Sequence, residues 1–153
     1  MRIKLPFLIY LGKIVAALSR LFNLGAGSTW PGHLVLENDP QSLKYLVGQL
    51  KFGPILIAGT NGKTTTAKMV RTILEKTKKA KVVHNEAGAN LLNGLVSSLI
   101  LASDWKGRLG ANWGIFEVDE ATLPLALAEF TPQIVVLLNL FRDQLLYHFL
   151  NKI

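Results

Sequence analysis

The chain has 153 residues, of which 50% are hydrophobic and 18% charged, with 17 Lys and Arg against 10 Asp and Glu for a formal charge of +7. So apolar a chain, of one domain's length, can bury a core, which excludes a disordered segment. It contains no cysteine, which excludes disulfides and thiolate metal sites and fits a reducing, cytoplasmic setting. The basic excess is scattered except at Lys76, Lys78, Lys79 and Lys81. These fall at the end of an expected helix, where cations suit the helix dipole without any ligand. No basic stripe interleaved with aromatics is present, so nucleic acid is not an expected partner. An anionic membrane surface or a phosphorylated substrate is the better use of the charge.

Residues 1–24 are largely apolar, but Lys13 and Arg20 interrupt the stretch. No uncharged run reaches the roughly 20 residues of a membrane span. Phe7, Tyr10, Leu11, Ile14, Leu18 and Leu21 recur at helical spacing, with Lys13 and Arg20 to the other side. The spacing predicts an amphipathic N-terminal helix, ending in the glycines near 23–27. Such a helix either packs on its own domain or rests peripherally on the inner face of a membrane. Residues 25–54 read as a lead-in. A loop rich in Gly, Pro and Asn occupies 25–40, with a short strand at Leu34-Val35-Leu36. A short helix follows, opened by Asp39-Pro40 and burying Leu43, Leu46, Val47 and Leu50.

From Ile55 the pattern alternates. Strands are predicted at 55–58, 81–85, 112–118 and within 132–140, and helices at 63–78, 90–102 and 123–130. In the first of these helices Met69, Val70, Ile73, Leu74 and Thr77 share the face expected to pack. The strands are apolar throughout rather than alternating, as in a mostly parallel sheet covered by helices on both faces. The fold class is therefore α/β.

Between the first strand and its helix lies Gly59-Thr60-Asn61-Gly62-Lys63-Thr64-Thr65. Strand, glycine loop, Gly-Lys-Thr and helix are the layout of a phosphate-binding loop. The glycines let backbone N–H groups turn toward phosphate oxygens, and the helix N-terminus adds partial positive charge. Lys63 would reach the terminal phosphates and the Thr64 hydroxyl would bind Mg²⁺. The strict spacing is not met, because its first position is Ile57 rather than Gly.

Ligands of such sheets collect beyond the carboxyl ends of the strands. The polar residues there are Asn85, Glu86 and Asn90, then Glu117, Asp119 and Glu120, then Asn139, Arg142, Asp143 and Gln144. Glu117 is the preferred magnesium partner of Thr64, since Mg²⁺ takes one or two protein oxygens and keeps waters. Asp119 and Glu120 suit the start of the next helix, and Asn90 suits an N-cap. The three histidines share no metal-ligand spacing, and the three tryptophans read as packing residues.

The loop 59–65 resembles the ATP-binding loop of the Mur ligases and folylpolyglutamate synthases. With Trp30-Pro31-Gly32-His33, the block 85–91, Phe116-Glu117-Val118-Asp119-Glu120-Ala121 and the block 139–145, the chain resembles the MurT branch of the Mur ligase superfamily over about residues 1–145. The resemblance implies a P-loop central domain, 55–153, incomplete at its C-terminal end. It implies ATP and Mg²⁺ as cofactors, with catalytic Lys63 and Glu117, metal ligands Thr64 and Glu117, and Gly59, Thr60, Asn61, Gly62, Lys63, Thr64, Thr65 and Asn90 around the nucleotide. It further implies acyl-phosphate activation of the D-glutamate α-carboxylate of lipid II in peptidoglycan synthesis. Ammonia would then come from a GatD-type glutaminase partner. Asp143 matches the aspartate of the family's Asn-x-x-x-Asp motif. After Gln144-Leu145 the sequence departs from the branch, and the four-cysteine zinc ribbon usual there has no counterpart. The expectation is therefore an N-terminal fragment of the ligase. An amino-acid-adding Mur ligase, a folylpolyglutamate synthase relative and a non-catalytic nucleotide-binding module are the alternatives.

Overall fold

The computed structural model describes residues 4–21, 29–85 and 89–139. In chain order these form α1 (Lys4–Leu21), α2 (Trp30–Asn38), α3 (Ser42–Val47), β1 (Gly53–Ala58), α4 (Lys63–Lys78), β2 (Val82–His84), α5 (Leu92–Ala102), β3 (Trp113–Val118), α6 (Thr122–Glu129) and β4 (Ile134–Leu137). The four strands make one parallel sheet in the order β2-β3-β1-β4. The predicted α/β alternation is therefore present, with the glycine loop leaving a central strand.

Strand parity sorts the core into two layers. Ile55 and Ile57 of β1 and Ile115 of β3 point to one face, where Ala67, Val70 and Leu74 of α4 cover them. Leu56, Ala58, Phe116 and Val118 point to the other, where they join the buried side chains of the remaining helices in a larger core. Glu117 is two residues beyond Ile115 and so shares the α4 face. That parity is what aims it at the start of α4.

Helix α3 buries Leu43, Leu46 and Val47, as its spacing predicts. Three other expectations are corrected. The loop and short strand expected within 25–40 give way to α2, whose Pro31, Gly32 and Val35 are buried. Proline at the first helical positions is compatible with a helix, because its missing N–H has no intrahelical acceptor there. The side chain of Ser97 on α5 accepts the Gly32 N–H at 2.8 Å. In α4, Met69 and Ile73 are exposed and only part of the predicted face packs.

The third correction concerns α1. Its packed face consists of Leu5, Leu8, Ile9, Gly12, Ala16 and Ser19, against α2 and α5. The predicted stripe is instead its outer side, where Phe7, Tyr10, Leu18 and Leu21 are exposed. Lys13 does not face solvent freely. Its ammonium donates to the carbonyls of Leu101 and Ser103 at the C-terminal end of α5, a favourable place for a cation. Trp30 and Trp105, read as packing residues, are also exposed. The glycine-rich end expected for this helix lies outside the described residues.

Candidate functional site

Strand β1 ends at Ala58, and Gly59 (φ +145°) and Gly62 (φ +85°) turn the chain into α4. Both conformations favour glycine. Gly59 is also crowded, since an added Cβ would lie 3.1 Å from Leu138 Cβ and 3.2 Å from the Asn139 nitrogen. The end of β4 thus fixes the loop from the side. Asn139 accepts the Thr60 N–H at its backbone oxygen (3.3 Å) and the Asn61 N–H at Oδ1 (3.0 Å). Those two amides point at β4 rather than inward. Anion contact from the backbone then falls to the first turn of α4, whose N–H groups have no intrahelical acceptor.

Lys63 opens α4. Its ammonium donates to the carbonyl of Gly59 and, at 3.3 Å, to that of Thr60, and lies 3.5 Å from Asp119 Oδ1. The cation is therefore held across the loop mouth. One residue on, Thr64 Oγ1 donates to Glu117 Oε2 at 2.7 Å, and Glu117 is 5% exposed. A buried carboxylate against a threonine hydroxyl is a pair of hard oxygens of the kind Mg²⁺ takes, and both residues would hold that ion. Among the described residues no group of three or more His, Cys, Asp or Glu could hold a metal.

Two expectations about the acids change. Helix α6 has no side-chain cap. The Asp119 side chain instead faces Lys63, and Glu120 Oε1 accepts the Thr60 hydroxyl at 2.7 Å. This hydrogen bond, with help from the Lys63 charge, holds the Glu120 carboxyl below its usual range despite some desolvation. A depressed folded-state pKa contributes stability above the unfolded carboxylate range, and that contribution is lost as pH falls through the folded value. Replacing Glu120 with Gln should therefore lower the melting temperature slightly near neutrality. The difference from the unchanged protein should close on acidification, as followed by thermal denaturation against pH.

Asn90 is not an N-cap, because α5 starts at Leu92 with Leu91 before it. The Asn90 carbonyl accepts the Asp119 N–H at 3.3 Å, which places it beside the acidic loop. Thr65 lies on the exposed side of the first turn of α4. Glu86, Arg142, Asp143 and Gln144 lie outside the described residues.

Asn85 has a larger part than its sequence suggested. It is 1% exposed, and its amide donates to the carbonyls of Ala89 (2.6 Å) and Glu117 (2.8 Å) while its oxygen accepts the Glu117 N–H (2.8 Å). It replaces a strand partner just past the end of β2 and grips Glu117 by both backbone groups. A lone Asn closing an apolar strand was the only signal for it.

Residues 57–149, which span the loop, Lys63, Thr64 and Glu117, match the model of the Mur ligase middle domain. The chain belongs to the Mur ligase middle-domain family. It is 34% identical over 137 residues, 90% of its length, to the MurT subunit of a glutamine-hydrolysing lipid II isoglutaminyl synthase from Staphylococcus aureus. It is 34% identical over 125 residues, 82% of its length, to the protein of the same name from Streptococcus pneumoniae. The chain spans 30% and 27% of those relatives.

Proposed function

We propose that this Mur ligase middle-domain chain binds Mg-ATP at the mouth of the 59–62 loop, as the nucleotide-binding part of an amide ligase of peptidoglycan synthesis. The observation that carries the reading is the Thr64–Glu117 contact beside the Lys63 ammonium. Lys63 would offset charge on the terminal phosphates, and the α4 N-terminus would orient them. Thr64 and Glu117 would hold a magnesium ion, which would supply charge neutralisation for phosphoryl transfer.

The names of the relatives support the finer reading. Within a longer protein the reaction would be phosphorylation of the D-glutamate α-carboxylate of lipid II, then attack by ammonia. A carboxylate is a poor electrophile, so its oxygen must first be converted into a phosphate leaving group. The attacking carboxylate is already ionised, so the first step asks no base of the protein and depends on positioning and charge. "Glutamine-hydrolyzing" and "subunit" in those names fit a glutaminase partner of the GatD type that delivers the ammonia.

The test is titration with a fluorescent ATP analogue in excess Mg²⁺. Lys63→Ala should weaken binding at least about tenfold, the loss of a charge-assisted contact of roughly 1.5–3 kcal/mol. Equal affinity in the variant would reject the site.

A further inference from the structure

We propose that the outer face of α1 is a docking surface for an anionic lipid bilayer. This helix is apolar on two opposite sides. Leu5, Ile9 and Ala16 are consumed by the core, whereas Phe7 (63% exposed), Leu18 (48%) and Leu21 (76%) lie along the other side. At 1.5 Å per residue the stripe from Phe7 to Leu21 is roughly 21 Å long. Tyr10 widens it, with its ring 5.6 Å from that of Trp105, itself 61% exposed.

The occupant follows from the charge around this stripe. Residues 4–21 contain no Asp or Glu. Exposed Lys4 lies on the helix, and exposed Lys106 directly follows Trp105 in sequence. The nearby acid, Asp104, is engaged by the Arg108 guanidinium at 2.7 Å and by the backbone N–H groups of Lys106 and Arg108. Lys13 lies 5.2 Å from the Trp105 ring centroid. A Trp-Tyr pair beside an acid-free apolar stripe suits the headgroup boundary of a membrane, where amphipathic rings and cations settle together. No described helix is long and apolar enough to cross a membrane, so α1 would lie along the surface.

The chain should co-sediment with vesicles of equal parts phosphatidylglycerol and phosphatidylcholine, and more weakly with phosphatidylcholine alone. The double substitution Leu18→Asp and Leu21→Asp should reduce partitioning at least about tenfold, since two apolar anchors become anions. Both positions are exposed, so circular dichroism should be unchanged. Phe7→Ser supplies a second variant with the same expected direction. Lys63→Ala should bind vesicles normally, which separates this inference from the nucleotide reading. Failure of the unchanged chain to bind the mixed vesicles would overturn the proposal, as would unchanged binding by the double variant. So would a dimer in solution that the double substitution dissociates while neither form binds vesicles, because the stripe would then be an interface between two copies.

Discussion

Replacing Gly32 with alanine should lower the melting temperature by roughly 10 °C, a loss of about 3 kcal/mol or more for a domain of this size. A Cβ built there would sit 1.8 Å from the backbone oxygen of Asn93 and 2.8 Å from Ser97 Oγ. The first contact is with main chain inside α5, which no rotamer change can relieve. Helices α2 and α5 would have to separate, opening the interface that also contains the Gly32 to Ser97 hydrogen bond. Gly110→Ala is the control, because nothing lies within 4 Å of a Cβ at that glycine. The check is thermal denaturation of both variants. A Gly32→Ala protein that melts with the control would mean that α2 does not lie against α5 at this distance.

Gly32 also explains why α2 was not legible in the sequence. Proline and glycine next to one another read as a turn, and Leu34-Val35-Leu36 reads equally well as a strand. What makes this segment helical is a close approach to α5 that only a glycine permits, and a tertiary contact leaves no periodic trace. The same limit applies to α1. Its residues are apolar almost all round, so spacing alone finds two stripes and cannot rank them. Gly12, Ala16 and Ser19 decide the matter, because small side chains let this face approach the core while the larger Phe7 and Leu21 remain outside. Where pattern and chemistry coincide, the reading from residues was closer. The run Ile55–Ala58, the glycines of the loop and the Lys63–Lys78 helix follow from local rules. Glu117 followed from its place at a strand end, and the parity of β3 supplies the reason that it meets Thr64.

Asn85→Ala should destabilise the fold by about 2–4 kcal/mol and raise the Mg²⁺ concentration needed for nucleotide binding. The side chain is buried and makes three hydrogen bonds, to the carbonyls of Ala89 and Glu117 and from the Glu117 N–H. Removing it strands the Glu117 N–H and two carbonyls, and each unsatisfied buried group costs about 1–3 kcal/mol before relaxation. Asn85→Asp should be worse, because a carboxylate cannot donate and would face the carbonyls of Ala89 and Glu117 in a dry site. Asn85 touches Glu117 only through its main chain, so its effect on the site is one of position: without this clamp Glu117 is held from the β1 side alone, and the carboxylate should be less firmly fixed at 2.7 Å from Thr64. Titrating Mg²⁺ at fixed nucleotide separates this from a general loss of fold. Below the melting range, the Asn85 variants should need more Mg²⁺ yet approach the unchanged affinity at saturation, whereas Lys63→Ala should be weak at every Mg²⁺ concentration. An Asn85→Ala protein of lower stability with an unshifted Mg²⁺ midpoint would confine this residue to holding the sheet together. A shifted midpoint would tie the clamp on Glu117 to the metal that Thr64 and Glu117 are proposed to share.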